Sequence, residues 1–237
     1  MRPSISRLAS SKLIRRLEAV DTAAICDAFK ATGSKAVKVM SSFMTLRTSH
    51  LAVSGRMMIG VARTVQLSEQ QDFLAVLQGL DDSEEGEVLC VCTKNSTKAV
   101  AGGLFLTEAE RKGLRGILVD GAVRDIATMK DNGIHCYSTS VNPYSGTVSH
   151  LGQLQVPIIC GGVEISPGDI VIGDVDGVIV SDVDSLESII ETAENIVAKE
   201  EAIMTAIKNG KGLHSLTNYT EHVANIKKGI ESCLTFK

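Results

Sequence analysis

From Leu13 to Phe29 the apolar positions Leu13, Leu17, Val20, Ala24, Ile25, Ala28 and Phe29 recur at helical spacing. Asp21-Thr22 interrupts them as an internal cap, which predicts two short helices rather than one. Met57–Leu67 predicts a strand, with Gly60 as a candidate bulge, and Gln70–Leu80 predicts a helix. Asp81-Asp82-Ser83-Glu84-Glu85-Gly86 is an acidic turn without the spaced ligands of a calcium loop. Val88–Cys92 predicts the next strand and Thr97–Lys112 the next helix. Gly116–Val119 predicts a strand running into a turn at Gly121, with a helix starting near Arg124. Strands alternating with helices in this way imply a parallel arrangement with right-handed crossovers, hence an α/β protein.

Beyond Gly133 the pattern changes to short strands at Ile134–Tyr137, Gln155–Cys160, Val163–Ile165, Ile170–Gly173 and Gly177–Ser181. Pro167-Gly168-Asp169 fits a type II turn and Asp174-Val175-Asp176-Gly177 a hairpin turn. Ser185–Asn209 predicts a long helix, capped near Asp184 and closed by Gly210. Its exposed end, Lys199-Glu200-Glu201, leads into a tail expected to pack on a neighbouring subunit. The absence of repeats, low-complexity stretches and linkers makes residues 1–237 a single domain, with a helical tail over 185–237.

Composition narrows the function classes. The 237 residues are 44% hydrophobic but only 3% aromatic, without Trp, which suits a Val/Ile/Leu/Ala core. A net charge of −4 and few aromatic platforms argue against direct nucleic-acid binding. The six cysteines form no CxxC pair, and most lie in apolar surroundings, which predicts buried thiols in a reducing compartment. Cys90 and Cys92 share a strand face but have no His beside them for a zinc site. No segment reaches the ~20 apolar residues of a membrane span. The first 17 residues hold Arg2, Arg7, Lys12, Arg15 and Arg16 and no acid, a composition shared with mitochondrial presequences. The expectation is a cytoplasmic protein whose basic terminus leads into the first helix.

The chemistry concentrates between Gly102 and Asp125. Gly102-Gly103 at a helix start exposes backbone N–H groups able to hold an anion. Arg124-Asp125, just past a buried strand, offers a planar fork for a carboxylate beside a hard oxygen ligand for a divalent cation. Singly, each has a plain structural account: a packing Gly pair, a surface Arg, an Asp in a first helical turn. Together they describe a site for a small metal-chelating acid such as a 2-oxo acid.

These residues resemble the motif of the regulator of ribonuclease activity A family, which includes divalent-metal-dependent 4-hydroxy-4-methyl-2-oxoglutarate aldolases. That motif is a Gly, twenty residues, Arg-Asp, two residues and an acid. Gly103, Arg124 and Asp125 match it, and Thr128 stands where the last acid would be. Cys160-Gly161-Gly162-Val163, Pro167-Gly168-Asp169-Ile170-Val171 and Asp176-Gly177-Val178-Ile179-Val180 extend the resemblance to roughly residues 15 to 210. It implies an αββα sandwich around a small β-barrel-like core, similar to a swivelling domain, assembled as a trimer or hexamer. By the same resemblance Arg124 clamps the substrate carboxylate, Asp125 holds Mg²⁺ or Mn²⁺, and the Leu104 and Phe105 amides after Gly103 receive a pyruvate enolate. Aldol cleavage of 4-hydroxy-2-oxo diacids and decarboxylation of oxaloacetate share that enolate.

The departures are specific. Leu104 stands where many bacterial aldolases carry an acid after the motif Gly, although fungal-type relatives also read Gly-Gly-Leu. Ser149, followed by His150, stands where the aldolases have a Lys, and His150 is a candidate replacement. The remaining family acid comes from a neighbouring subunit, and Glu201, or Glu200, fits that place. The alternative function is a non-catalytic regulator that binds an RNA-processing protein; such regulators as a rule lack the Asp after the motif Arg, so Asp125 favours metal chemistry. Methyl transfer is excluded, because no Gly-rich adenosine loop followed by an acidic ribose ligand is present.

Overall fold

A computed structural model describes residues 11–41, 43–48, 56–130 and 132–237; the basic segment through Ser10 lies outside them. The helices are α1 Ser11–Leu17, α2 Thr22–Thr32, α3 Leu74–Asp81, α4 Gly103–Arg111, α5 Ile126–Met129, α6 Val183–Lys208 and α7 Tyr219–Lys227. The strands are β1 Lys38–Val39, β2 Thr45–Leu46, β3 Met58–Gln66, β4 Glu87–Ala101, β5 Gly116–Val123 and β6 His135–Val141. They continue with β7 Gln153–Leu154, β8 Ile158–Cys160, β9 Val163–Ile165, β10 Ile170–Gly173 and β11 Val178–Ser181. Asp21 caps α2 by accepting from Ala24 N at 2.7 Å, so the first helical stretch divides where its sequence says it should.

The main sheet runs β1-β11-β10-β3-β4-β5-β6-β2, with β7 added against β3. β3, β4, β5 and β6 are mutually parallel neighbours, and the outer pairings are antiparallel. Both faces of the parallel strands are covered, which is why they read as apolar runs rather than alternating ones. Leu89 and Val91 of β4 face a core shared with Val76 and Leu80 of α3, Leu106 and Ala109 of α4 and Met129 of α5. Val88, Cys90 and Cys92 face the opposite core, with Tyr137, Val171, Val180 and the β8–β9 hairpin residues Ile158, Cys160 and Ile165. Cys90, Cys92, Cys136 and Cys160 are buried free thiols, and burial holds the Cys136 thiol protonated, pushed up to about 12.

The sheet curls on itself. Tyr137 on β6 donates its hydroxyl to Asp174 O, just past β10, at 2.8 Å. Four ladder steps separate those strands, roughly 19 Å if the sheet were flat. The α/β architecture with a barrel-like core is therefore present.

Several boundaries differ from expectation, each because tertiary pairing outweighs local pattern. The helix predicted from Thr97 begins only at Gly103, since β4 continues to Ala101. After a turn with Lys94 and Asn95 in left-handed conformation, Ser96, Ala99 and Ala101 regain pairing with Gly121, Ala122 and Val123. Gly121 therefore sits inside β5, pressed against the Thr93 hydroxyl, and makes no turn. The helix predicted from Gln70 starts at Leu74, because Asp72 and Phe73 bond to the segment around Thr147. Gly60 pairs in regular register with Val171; a Cβ there would lie 2.6 Å from Gly86 O, so it marks a close approach and not a bulge. The strand predicted over Gln155–Cys160 is shortened to Ile158–Cys160, with Gln155, at φ 55°, lying between β7 and β8. The long helix is capped by Asp182, which accepts from Ser185 N at 2.8 Å, and not by Asp184.

The chain parts after Ala193 into two compact units. The second, Glu194–Lys237, holds the last turns of α6, a 3-10 turn at Leu213–Leu216 and α7. Within it Asn218 N donates to Thr235 O at 3.1 Å and the His214 and Tyr219 rings lie 4.6 Å apart. Glu201 is exposed on α6 in this second unit. Among the described residues no helix is long and apolar enough to cross a membrane.

Candidate active site

The twenty residues between Gly103 and Arg124 are one crossover, α4 followed by β5. β4 and β5 are parallel neighbours that end paired, Ala101 with Val123. Gly102-Gly103 and Arg124-Asp125 therefore leave adjacent strands at the same level, the carboxyl end where open α/β sheets bind ligands. Arg124 N donates to Ala101 O at 3.1 Å, which extends the ladder one residue past the strand.

Asp125 then adopts a left-handed conformation, φ 62° and ψ 36°. For a residue other than Gly this costs on the order of 1 kcal/mol, and Asp and Asn tolerate it best. The turn brings the carboxylate back over α4: Asp125 Oδ2 accepts from Gly103 N at 3.3 Å and lies 3.5 Å from Arg124 Nε. A Cβ on Gly102 would stand 2.5 Å from that same oxygen and 3.0 Å from Arg124 Cγ. One on Gly103 would collide with Thr128 Oγ1. The double glycine thus makes room for the Arg-Asp pair.

At the start of α4 the Phe105 and Leu106 amides both donate to Gly102 O, at 3.0 and 3.2 Å. Of the two amides the resemblance singles out, Leu104 N is the one without a hydrogen-bond partner among the described residues, and that of Phe105 closes the first helical turn. The Leu104 side chain is 82% exposed. The positive end of the helix dipole favours an anion at this point.

Around these groups lies a small pocket open to solvent. Arg124, Asp125 and Ser145 are its polar lining, and Phe73, Ala99, Leu104 and Phe105 contribute to the apolar side. The Phe73 and Phe105 rings meet edge to face at 6.0 Å. Ser145 is placed by a flanking segment in which Ala99 N donates to Tyr144 O and Gly146 N to Ala99 O. Arg124 and Asp125 are each a little over two-fifths exposed, so their mutual attraction is worth little and both remain available to a ligand.

Among the described residues no group of three or more His, Cys, Asp or Glu could enclose a metal ion. Thr128 turns its hydroxyl to Asp125 O at 2.8 Å and adds no carboxylate. Among the described lining residues of the pocket, the acidic donor is the half-exposed Asp125 carboxylate. That fits Mg²⁺ or Mn²⁺, hard cations that keep several waters and take the rest of their ligands from substrate.

Sequence reasoning missed Asp72, which it placed inside a helix. Its side chain is fully buried, and its Oδ2 accepts from Thr147 Oγ1 at 2.9 Å, Ser149 N at 2.5 Å and His150 N at 3.1 Å. His150 Nδ1 stands 3.3 Å from the same oxygen, and Oδ1 accepts from Leu74 N at 3.2 Å. Burial alone would raise this carboxyl, but the bonds from Ser149, Leu74, Thr147 and His150 bring it down to about 2. A lone Asp within that predicted helix carried no signal of this; apart from Leu74, its partners lie over seventy residues away.

Residues 22–180 match the model of the RraA-like family, described as Aldolase/RraA. The chain belongs to the RraA-like family. A Halalkalibacterium halodurans relative with the provisional name 4-hydroxy-4-methyl-2-oxoglutarate aldolase is 38% identical over 154 residues, 64% of this chain and 72% of that protein. The crystal structure of Streptomyces coelicolor RraAS2, described as an unusual member of the RNase ES inhibitor RraA protein family, superposes with a TM-score of 0.69. It is 29% identical, and the match covers 82% of this chain and 96% of that one. An uncharacterised protein from Pseudomonas syringae pv. tomato gives a TM-score of 0.73 over 88% of this chain and 98% of its own, but at 22% identity it supports the fold alone. The RraA-like match ends within β11, so α6, α7 and the whole second unit lie beyond it.

Proposed function

We propose that this RraA-like protein is a divalent-metal-dependent lyase that cleaves a C–C bond in small 2-oxo acids and releases pyruvate. The observation that carries the reading is the half-exposed Arg124–Asp125 pair, set beside the open Leu104 amide at the mouth of a pocket. Arg124 holds the substrate carboxylate through a two-pronged, charge-assisted contact. Asp125 is the residue that would hold Mg²⁺ or Mn²⁺, which when bound supplies Lewis-acid polarisation of the 2-oxo group. The Leu104 N–H and the α4 dipole stabilise negative charge gathering on substrate oxygen as the bond breaks. Glu201 of a neighbouring copy in a homotrimer or hexamer is proposed to complete the proton transfers.

The test is pyruvate release from oxaloacetate and from 4-hydroxy-2-oxo acids, with and without a chelator. Asp125→Ala is expected to abolish metal-dependent turnover while the protein stays folded; wild-type rates in this variant would make Asp125 a backbone device only. Arg124→Lys keeps the charge but loses the planar fork, and substrate affinity should fall about tenfold or more.

The similarity to the Streptomyces coelicolor protein favours one other reading, a regulator that masks an RNA-processing enzyme. A broad masking surface tolerates Arg124→Lys. Tight binding of a ribonuclease or helicase by that variant, with no turnover of any 2-oxo acid by the wild type, would choose the regulator.

A further inference from the structure

Asp72 is a fully buried carboxylate that takes no part in the Arg124–Asp125 pair, and the titratable group bonded to it is His150. The His150 main-chain N, at 3.1 Å, and its ring Nδ1, at 3.3 Å, converge on the same oxygen, Asp72 Oδ2. An ionised carboxylate only accepts, so Nδ1 carries the ring proton and Nε2 presents a lone pair. Nε2 has no hydrogen-bond partner among the described residues, and the side chain is 58% exposed. Thr147 Oγ1, Ser149 N and Leu74 N already fasten the backbone here to Asp72, so tying down an exposed ring adds little to stability. It does fix the tautomer and direction of an imidazole, as a buried carboxylate does for a histidine base. The pair adjoins the pocket along both chain segments. Asp72 precedes the lining residue Phe73, and His150 follows Ser145 on a segment held by Gly146 N to Ala99 O and Phe73 N to Thr147 O.

We propose that His150 is a catalytic base of this site, taking at Nε2 the C4 hydroxyl proton of a 4-hydroxy-2-oxo diacid, and that Asp72 is its positioning residue. The assignment rests on the lyase reading above and adds a group to it. As the proton passes to Nε2, the C3–C4 bond breaks, its electron pair enters the pyruvate enolate and C4 becomes a carbonyl. The enolate takes up a proton at C3 to give pyruvate, a step left to Glu201 of a neighbouring copy, and His150 returns its proton to solvent. Oxaloacetate differs at one point. Its C4 leaves as carbon dioxide from a carboxylate, so the same enolate forms with no hydroxyl proton to remove. Comparing the two reactions therefore separates His150 from the rest of the site.

The test is pyruvate release by the full chain with Mg²⁺, from 4-hydroxy-2-oxoglutarate and from oxaloacetate. In His150→Gln, at a position too exposed to threaten folding, the ratio of aldol cleavage to decarboxylation should fall about a hundredfold, the ordinary worth of a positioned base. Free imidazole should recover part of that ratio in His150→Gly. Nitrogen-15 NMR of the histidine rings, without metal and at about pH 8 where a histidine is ordinarily neutral, gives a readout independent of turnover. His150 should be the Nδ1–H tautomer in the wild type and shift to Nε2–H in Asp72→Asn, where an amide NH₂ faces the ring. A ratio unmoved in His150→Gln, or an Nε2–H tautomer in the wild type, overturns the base and leaves the lyase standing. Decarboxylation without aldol cleavage by the wild type does the same. Pyruvate from neither substrate refutes the lyase and the base with it.

Discussion

Replacing Asp72 with Asn tests whether one buried carboxylate holds the 147–150 segment against the start of α3. Oδ2 takes four contacts from the 147–150 segment and Oδ1 takes the Leu74 amide. An Asn can present its oxygen to only one of these groups and must turn an NH₂ toward donors on the other side. Losing charge-assisted bonds and opposing two donors costs roughly 2–3 kcal/mol. Those same bonds hold the carboxyl at about 2 in the fold, against an ordinary 3.8, a difference of roughly 2.5 kcal/mol. Because the folded value is depressed, this stabilisation is fully present above about pH 4 and is lost as pH falls through 2. About half of it is gone by pH 3. Urea denaturation followed by circular dichroism at pH 7 and pH 3 measures both effects. Asp72→Asn should lower stability at pH 7, with a Tm drop of roughly 5–10 °C, and the gap to wild type should narrow at pH 3. A variant within 0.5 kcal/mol of wild type at pH 7, or a gap that widens in acid, would refute the assignment; that threshold is about the ordinary effect of a surface substitution.

Gly102→Ala places a methyl group against Asp125 Oδ2 and Arg124 Cγ, so pyruvate release should fall about tenfold or more while circular dichroism stays native. Stability should drop by about 1–3 kcal/mol, as for overpacking elsewhere; unchanged kinetics would show that the Arg-Asp pair does not need this approach. Light scattering at micromolar concentration should report a trimer or hexamer, and a monomer would leave the proposed role of Glu201 without a neighbouring copy to serve.

The meeting of the two motifs of the candidate site was legible in the sequence because its parts are local in the chain. Gly102-Gly103 and Arg124-Asp125 are joined by one crossover, so a fixed spacing encodes their meeting at the ends of two parallel strands. The division of the first helix at Asp21, the Gly168 turn and the strands β9 and β10 were legible for the same reason, since caps, turns and periodicity act over a few residues. Tertiary structure decided what depends on distant partners. Thr97–Ala101 has a helix-compatible composition yet became strand, because β5 offered hydrogen-bond partners once the Lys94–Asn95 turn had realigned the chain. Gln70–Phe73 lost its helix to Thr147, and Asp72 acquired its low pKa from residues far along the chain. The left-handed turn of Asp125, which points its carboxylate at α4, and the edge-to-face pair of Phe73 and Phe105 likewise exist only in the folded chain. Local pattern determines which backbone conformations are cheap, whereas long-range pairing and burial choose among them and set the environment of each charge.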